Sequence, residues 1–170
     1  MLKISITGPE SSGKSTLSIE LSQALNCSYL PEFARFYLQE QQAEYALEDL
    51  NTIIEGQIEW IKMSLSNSKA AYLIADTDFL VLDVWEDVRF GSCSLALHGA
   101  KKQLPFDLIL LCFPDIPWEE DPLRESDGKL DWLFEKYLEK TKASGTPFVV
   151  IKGDHRLRQA LDFVHKKKDR

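Results

Sequence analysis

Gly8-Pro9-Glu10-Ser11-Ser12-Gly13-Lys14-Ser15 fits the pattern G-x-x-x-x-G-K-[ST], whose chemistry is the cradling of a phosphate chain. Successive backbone N–H groups in such a loop surround the anion, and the helix that follows points its positive dipole end at it. Gly8 and Gly13 permit backbone angles and close approaches that a side chain would block. Lys14 has the reach for β- and γ-phosphates, and the Ser15 hydroxyl, followed by Thr16, can ligate Mg2+. Together these residues imply a nucleoside triphosphate site.

Other chemistry-bearing residues follow short apolar runs. Asp76 ends Tyr72-Leu73-Ile74-Ala75, the arrangement in which a carboxylate helps hold Mg2+; the same acid could instead cap a helix. Asp78 faces the same choice, because a helix begins beside it. Glu32, after Leu30-Pro31, is the candidate general base for transfer to an alcohol, with Arg35 placed to bind substrate or stabilise charge. An ion pair between Glu32 and Arg35 in a surface turn is the alternative. Arg124 either closes over the phosphates or is simply solvated, and Trp118 either stacks on a ligand ring or anchors its segment. His98, His155 and His165 show neither triad nor metal spacing.

The elements that must position these groups alternate. Hydrophobic segments at 2–7, 27–30, 70–75, 107–113 and 147–152 read as strands. Amphipathic stretches at 16–26, 46–67, 79–88, 94–103, 130–143 and 155–167 read as helices. The alternation predicts an α/β three-layer sandwich, a five-stranded parallel sheet covered on both faces, in a single domain over residues 1–170. Ligands of such sheets lie beyond the carboxyl ends of the strands, where Glu32, Asp76 and Asp78 fall. Residues 114–129, with Pro114, Pro117 and Pro122 and many charges, break the rhythm after the fourth strand and read as a lid.

Bulk composition narrows the class. The chain holds 27 acidic against 20 basic residues, a formal charge of −7 that disfavours an extended nucleic-acid surface. Lys166-Lys167-Lys168 falls in the last turn of a helix, where cations complement the dipole. No apolar run reaches membrane-spanning length and the first strand starts at residue 2, so a cytoplasmic protein is expected. Cys27, Cys93 and Cys112 lack metal-ligand spacing and read as buried thiols. Assembly into a homo-oligomer stays open.

The order of these motifs resembles the kinase domain of the bacterial NadR proteins, the ribosylnicotinamide kinase family. The matching pieces are GPESSGKSTL at 8–17, PEFAR at 31–35, DTDF at 76–79, FPDIPWEEDPLRE at 113–125 and GDHRLR at 153–158. The resemblance implies a P-loop nucleoside-kinase fold with sheet order 2-3-1-4-5. It implies ATP and Mg2+, and transfer of the γ-phosphate to the 5′-hydroxyl of a small-molecule nucleoside, nicotinamide riboside. It carries the family's phosphate loop onto Gly8 to Thr16, its strand-end acids onto Glu32, Asp76 and Asp78, and its lid arginine onto Arg124. Gly153 and Arg158 would lie near the adenine. The expected roles are therefore Lys14, Glu32, Asp78 and Arg124 in catalysis, Glu32, Arg35, Asp78 and Trp118 on the acceptor, and Ser15 and Asp76 on the metal. The chain starts at the kinase's first strand, so the adenylyltransferase and DNA-binding parts of such proteins are not expected. The lid reads Glu120-Asp121-Pro122-Leu123-Arg124, with Pro122 in place of an expected glycine. A kinase for another metabolite and an ATP-binding switch without an acceptor are the rival expectations.

Overall fold

The computed structural model describes residues 1–41, 46–91, 94–117 and 128–168. Five parallel strands form one sheet: β1 (Leu2–Thr7), β2 (Tyr29–Leu30), β3 (Tyr72–Asp76), β4 (Leu108–Cys112) and β5 (Phe148–Ile151). Their order is β2-β3-β1-β4-β5, with the glycine-loop strand in the middle. The register places Ile6 beside Asp76 and Thr7 beside Leu111, so the loop after β1 opens between the ends of β3 and β4.

Side chains on each strand alternate between faces, which decides what every residue can reach. Ile4, Ile6, Tyr72, Ile74, Leu108 and Leu110 pack on one face with α1 (Lys14–Ala24) and α7 (Arg156–Lys168). Leu73 and Ala75 face the opposite side, against α3 (Leu47–Asn67), α4 (Phe79–Phe90) and α5 (Leu95–Gln103). Ile109 and Leu111 share that side with α4 and α6 (Leu130–Ser144). Sheet order and two-sided cover agree with the expected P-loop sandwich. Among the described residues no helix is long and apolar enough to cross a membrane.

The strand edges moved by a residue or two, and one helix was not anticipated. Helix α2 spans Phe33–Gln41, where the sequence reading had only a strand end. Its apolar positions Phe33, Ala34, Tyr37 and Leu38 recur at helical spacing and pack on the α3 side of the core. Phe33 N–H donates to the buried Gln57 amide oxygen on α3 at 3.0 Å, and the Tyr37 hydroxyl donates to Asp49 at 2.7 Å. Phe33 also meets Trp60 edge to face, with ring centroids 5.0 Å apart. Arg35 therefore sits in the first turn of a docked helix, and Glu32 immediately before it.

The expected buried thiol holds for Cys112, whereas Cys27 is only half-buried. Cys27 and Cys112 are free, and burial raises both, Cys112 to about 11. Cys93 lies outside the described residues.

Candidate functional site

The loop after β1 is shaped by the sheet before any ligand is considered. Gly8 holds φ +136°, and a Cβ there would stand 2.5 Å from the Cys112 carbonyl oxygen, so the passing β4 backbone demands glycine. Ser11 at φ 50° and Gly13 at φ 75° complete the turn, with Gly13 at the N-terminus of α1. No side chain caps α1 and no acid lies in its first turn. Asp78 caps α4 at 3.0 Å and Ser94 caps α5 at 3.2 Å. The positive end of α1 is thus open to an anion. The Pro9 carbonyl accepts from both the Ser12 hydroxyl and the Lys14 ammonium, each at 2.6 Å. Ser15 and Thr16 are exposed on the first turn, and Glu10 is half-buried.

Asp76 lies on the α1 side of the sheet, in the same alternation as Tyr72 and Ile74. It is 6% exposed, and its Oδ1 has no hydrogen-bond partner. Burial raises its carboxyl above the ordinary range, opposed by the Ser15 hydroxyl and by the positive charges of Lys14 and Arg35. Asp76, Ser15, Lys14 and Arg35 are therefore gathered at one place. Thr77 follows at φ +86°, a conformation that costs a β-branched residue about 1–3 kcal/mol. Its N–H donates to the Ile6 carbonyl at 3.0 Å. After this turn Asp78 is directed to α4, where its carboxylate caps the helix through Leu80 N–H. Asp78 is 5% exposed, and burial raises its carboxyl too. Of its two expected uses, the cap is the one the described geometry displays.

A second gathering surrounds Tyr137 on α6. Burial first, then the negative charges of Glu32, Asp78 and Glu10, hold its phenol well above the ordinary value. Glu32, on the β2–α2 connection, thus shares a region with Asp78 and with the phosphate loop's Glu10. Tyr137 was not singled out from sequence. Its spacing from Leu133, Phe134 and Thr141 reads as plain core, and nothing else in the sequence distinguishes it.

Gly153 and Arg158 follow β5. Gly153 N–H donates to Asp115 at 2.7 Å, at the exit of β4. Arg158 has its side chain 85% exposed and lies 3.9 Å from Asp162, one helical turn along α7. Arg156, passed over in the sequence, reaches the phosphate loop: its Nη1 donates to the Ser12 carbonyl at 2.8 Å. The signal was present in the pattern. Arg156 shares a helix face with the buried Ala160 and Val164, whereas Arg158 shares one with exposed Asp162. Trp118, Arg124 and most of the expected lid lie outside the described residues.

Comparison with known proteins agrees with this geometry. A family described as AAA domain matches residues 3–158. The trifunctional NAD biosynthesis/regulator protein NadR of Salmonella typhimurium (strain LT2) is 28% identical over 157 residues, covering 88% of this chain and 38% of that protein. A crystal structure of NadR protein in complex with NR superposes with a TM-score of 0.86 at 24% identity, over 97% of this chain and 51% of that one. A deoxyadenosine kinase from M. mycoides with dCMP and dCDP superposes at 0.63 and 17% identity, over 99% of both chains. The chain thus spans well under half the length of its NadR relative and about half of the NadR chain in the solved structure. Its resemblance to NadR holds in sequence and in fold, and by the match across nearly its whole length the chain belongs to the AAA domain family, on a nucleoside-kinase-type P-loop fold.

Proposed function

We propose that this chain is an ATP- and Mg2+-dependent kinase that phosphorylates the 5′-hydroxyl of a nucleoside, with nicotinamide riboside the first candidate. The observation that carries the proposal is the setting of Asp76. A buried carboxylate there is influenced both by Ser15 and Lys14 of the phosphate loop and by the charge of Arg35 in the PEFAR segment. A site for the triphosphate alone has no need of that second arm. The NadR neighbour is described in complex with NR and the other neighbour is a deoxyadenosine kinase, which supports a nucleoside acceptor.

The residues present suit Mg2+. Asp76 offers an unpartnered buried oxygen and Ser15 a hydroxyl on the exposed first turn, a hard-oxygen pair that leaves the remaining positions to phosphate and water. A Mg2+ held by Asp76 and Ser15 would supply neutralisation of the phosphate charge during transfer. The loop N–H groups and Lys14 hold the triphosphate, with Lys14 exchanging the Pro9 carbonyl for phosphate oxygen. Glu32 accepts the proton of the acceptor hydroxyl as its oxygen bonds to the γ-phosphorus. The bond from that phosphorus to the bridging oxygen breaks, and ADP leaves. Arg35 balances the developing charge from the acceptor side.

The test is product detection by mass over a panel of ribosides incubated with Mg2+ and ATP. A phosphorylated nicotinamide riboside supports the full proposal. Phosphorylation of a different riboside keeps the mechanism and changes the pocket. A panel with no phosphorylated product contradicts it.

A further inference from the structure

Arg156 makes several connections at the loop end of the sheet, and none of the roles above uses it. Its side chain is 13% exposed. Nη1 donates to the Ser12 carbonyl at 2.8 Å, Nη2 to the Phe113 carbonyl at 2.9 Å, and Nε to the Gly153 carbonyl at 3.2 Å. Nη2 also pairs with the Asp115 carboxylate, whose second oxygen accepts Gly153 N–H at 2.7 Å. One guanidinium therefore joins three separate segments: the phosphate loop, the exit of β4 and the turn after β5.

The Ser12 contact bears on ligand binding through the geometry of one peptide unit. In a planar trans peptide the carbonyl and the N–H point in opposite directions. Arg156 fixes the Ser12 carbonyl, so it also fixes the Gly13 N–H to point away from α7. That N–H belongs to the G-K-S end of the phosphate loop, at the uncapped start of α1. Gly13 is the residue most able to turn over, having no side chain and φ 75°. A Cβ on it would lie 3.5 Å from Ile116 Cδ1 and 3.7 Å from Arg156 Nη1, so Arg156 and Ile116 border this peptide directly.

We propose that Arg156 is a positioning residue for nucleotide binding: with Asp115 it locks the Ser12–Gly13 peptide so that the Gly13 N–H is presented to the nucleotide's phosphates. The inference rests on reading residues 8–16 as the ATP site. An arginine is required because one planar fork serves three carbonyls and a carboxylate at once. A lysine ammonium on its flexible stem cannot hold that set.

The experiment measures the Kd of Mg2+–AMP-PNP by calorimetry for wild type, Arg156→Lys and Arg156→Met, with nucleotide-free thermal unfolding and steady-state kinetics alongside. Both variants should bind AMP-PNP about 10- to 100-fold more weakly, the range for losing a charge-assisted hydrogen bond. The KM for ATP should rise in parallel, while the acceptor KM stays within about twofold, since among the described residues no Arg156 contact touches the acceptor arm. Asp115→Asn, which keeps the guanidinium but loosens its charge partner, should show a smaller loss of the same kind. Should Arg156→Met not fold, Arg156→Lys and Asp115→Asn decide the matter alone. Lowered unfolding temperature with unchanged AMP-PNP affinity in these variants would make Arg156 a stabilising strut only and overturn the proposal. Failure of wild type to bind AMP-PNP overturns the ATP site itself, a result visible before any variant is compared.

Discussion

Asp76 shows how function and stability oppose each other at a single residue. The metal-ligand role proposed for its carboxylate needs that group charged, yet burial disfavours the charge and leaves one oxygen without a partner. Asp76→Asn should therefore stabilise the ligand-free protein by about 1 kcal/mol at pH 7 while reducing Mg2+–ATP turnover by at least about 100-fold. The sign with pH follows from linkage. A raised native pKa means the native state holds a proton that the unfolded state releases, so wild type gains stability as pH falls through that raised value. The advantage of Asp76→Asn should thus shrink on acidification, as followed by urea unfolding between pH 7 and pH 4. A gap that widens instead would mean that the carboxylate is stabilised by its neighbours. Glu32 is tested by chemistry rather than stability. Glu32→Gln should slow single-turnover transfer by about 10²–10⁴-fold, the range for a general base. An unchanged single-turnover rate would remove Glu32 from that role.

At the scale of elements, the helices over the α4 face are held by charge as well as by apolar packing. Asp83 on α4, with a side chain 8% exposed, pairs with Lys101 of α5 and, at 3.1 Å, with Lys140 of α6. Burial pushes the Asp83 carboxyl up, but hydrogen bonds and charge from Lys101 and Lys140 outweigh it and hold the carboxyl below its ordinary value. Asp83→Asn takes the shared carboxylate from Lys101 and Lys140, the latter also 3.6 Å from Asp87, and should cost about 2–3 kcal/mol at pH 7. Because the native pKa is depressed, that contribution is present above the ordinary carboxyl pKa of about 4 and is lost as pH falls through the native value. Unfolding curves of wild type and variant should converge in strong acid. A constant difference down to pH 2 would assign the loss to packing. Helix α2 is the element that sequence reading missed. Its helical spacing at Phe33, Ala34, Tyr37 and Leu38 was legible, but Pro31 just before it makes residues 31–35 read as the end of the second strand. The short β2 has a similar cause. Asn26 at φ 51° and Cys27 N–H, which donates to Ser22, close α1, so only Tyr29 and Leu30 remain to pair with β3.

For the molecule as a whole, the parts legible from sequence were those governed by period and local motif. The alternation of strands with amphipathic helices anticipated a five-stranded parallel sheet, and the resemblance anticipated its order, β2-β3-β1-β4-β5. What was not legible depends on which segments meet in space. Arg156 reaches Ser12 across 144 residues of sequence, and Tyr137 comes under the charges of Glu10, Glu32 and Asp78 from three other segments. Arg156 and Arg158 differ only in which side of α7 they occupy. The face of α7 that Arg156 occupies was readable from its spacing to Ala160 and Val164, but its partner 144 residues away was not.

The roles proposed for Glu32, Arg35 and Asp76 depend on transfer of the γ-phosphate from ATP to an acceptor alcohol. Single-turnover reactions with ATP labelled at the γ-phosphate, with and without nicotinamide riboside, follow that phosphate directly. Wild type should deliver the label to the riboside and release little as inorganic phosphate, while Lys14→Ala, folded by circular dichroism, should transfer none. Label appearing as inorganic phosphate at a rate indifferent to the riboside, or transfer that survives in Lys14→Ala, would contradict the account.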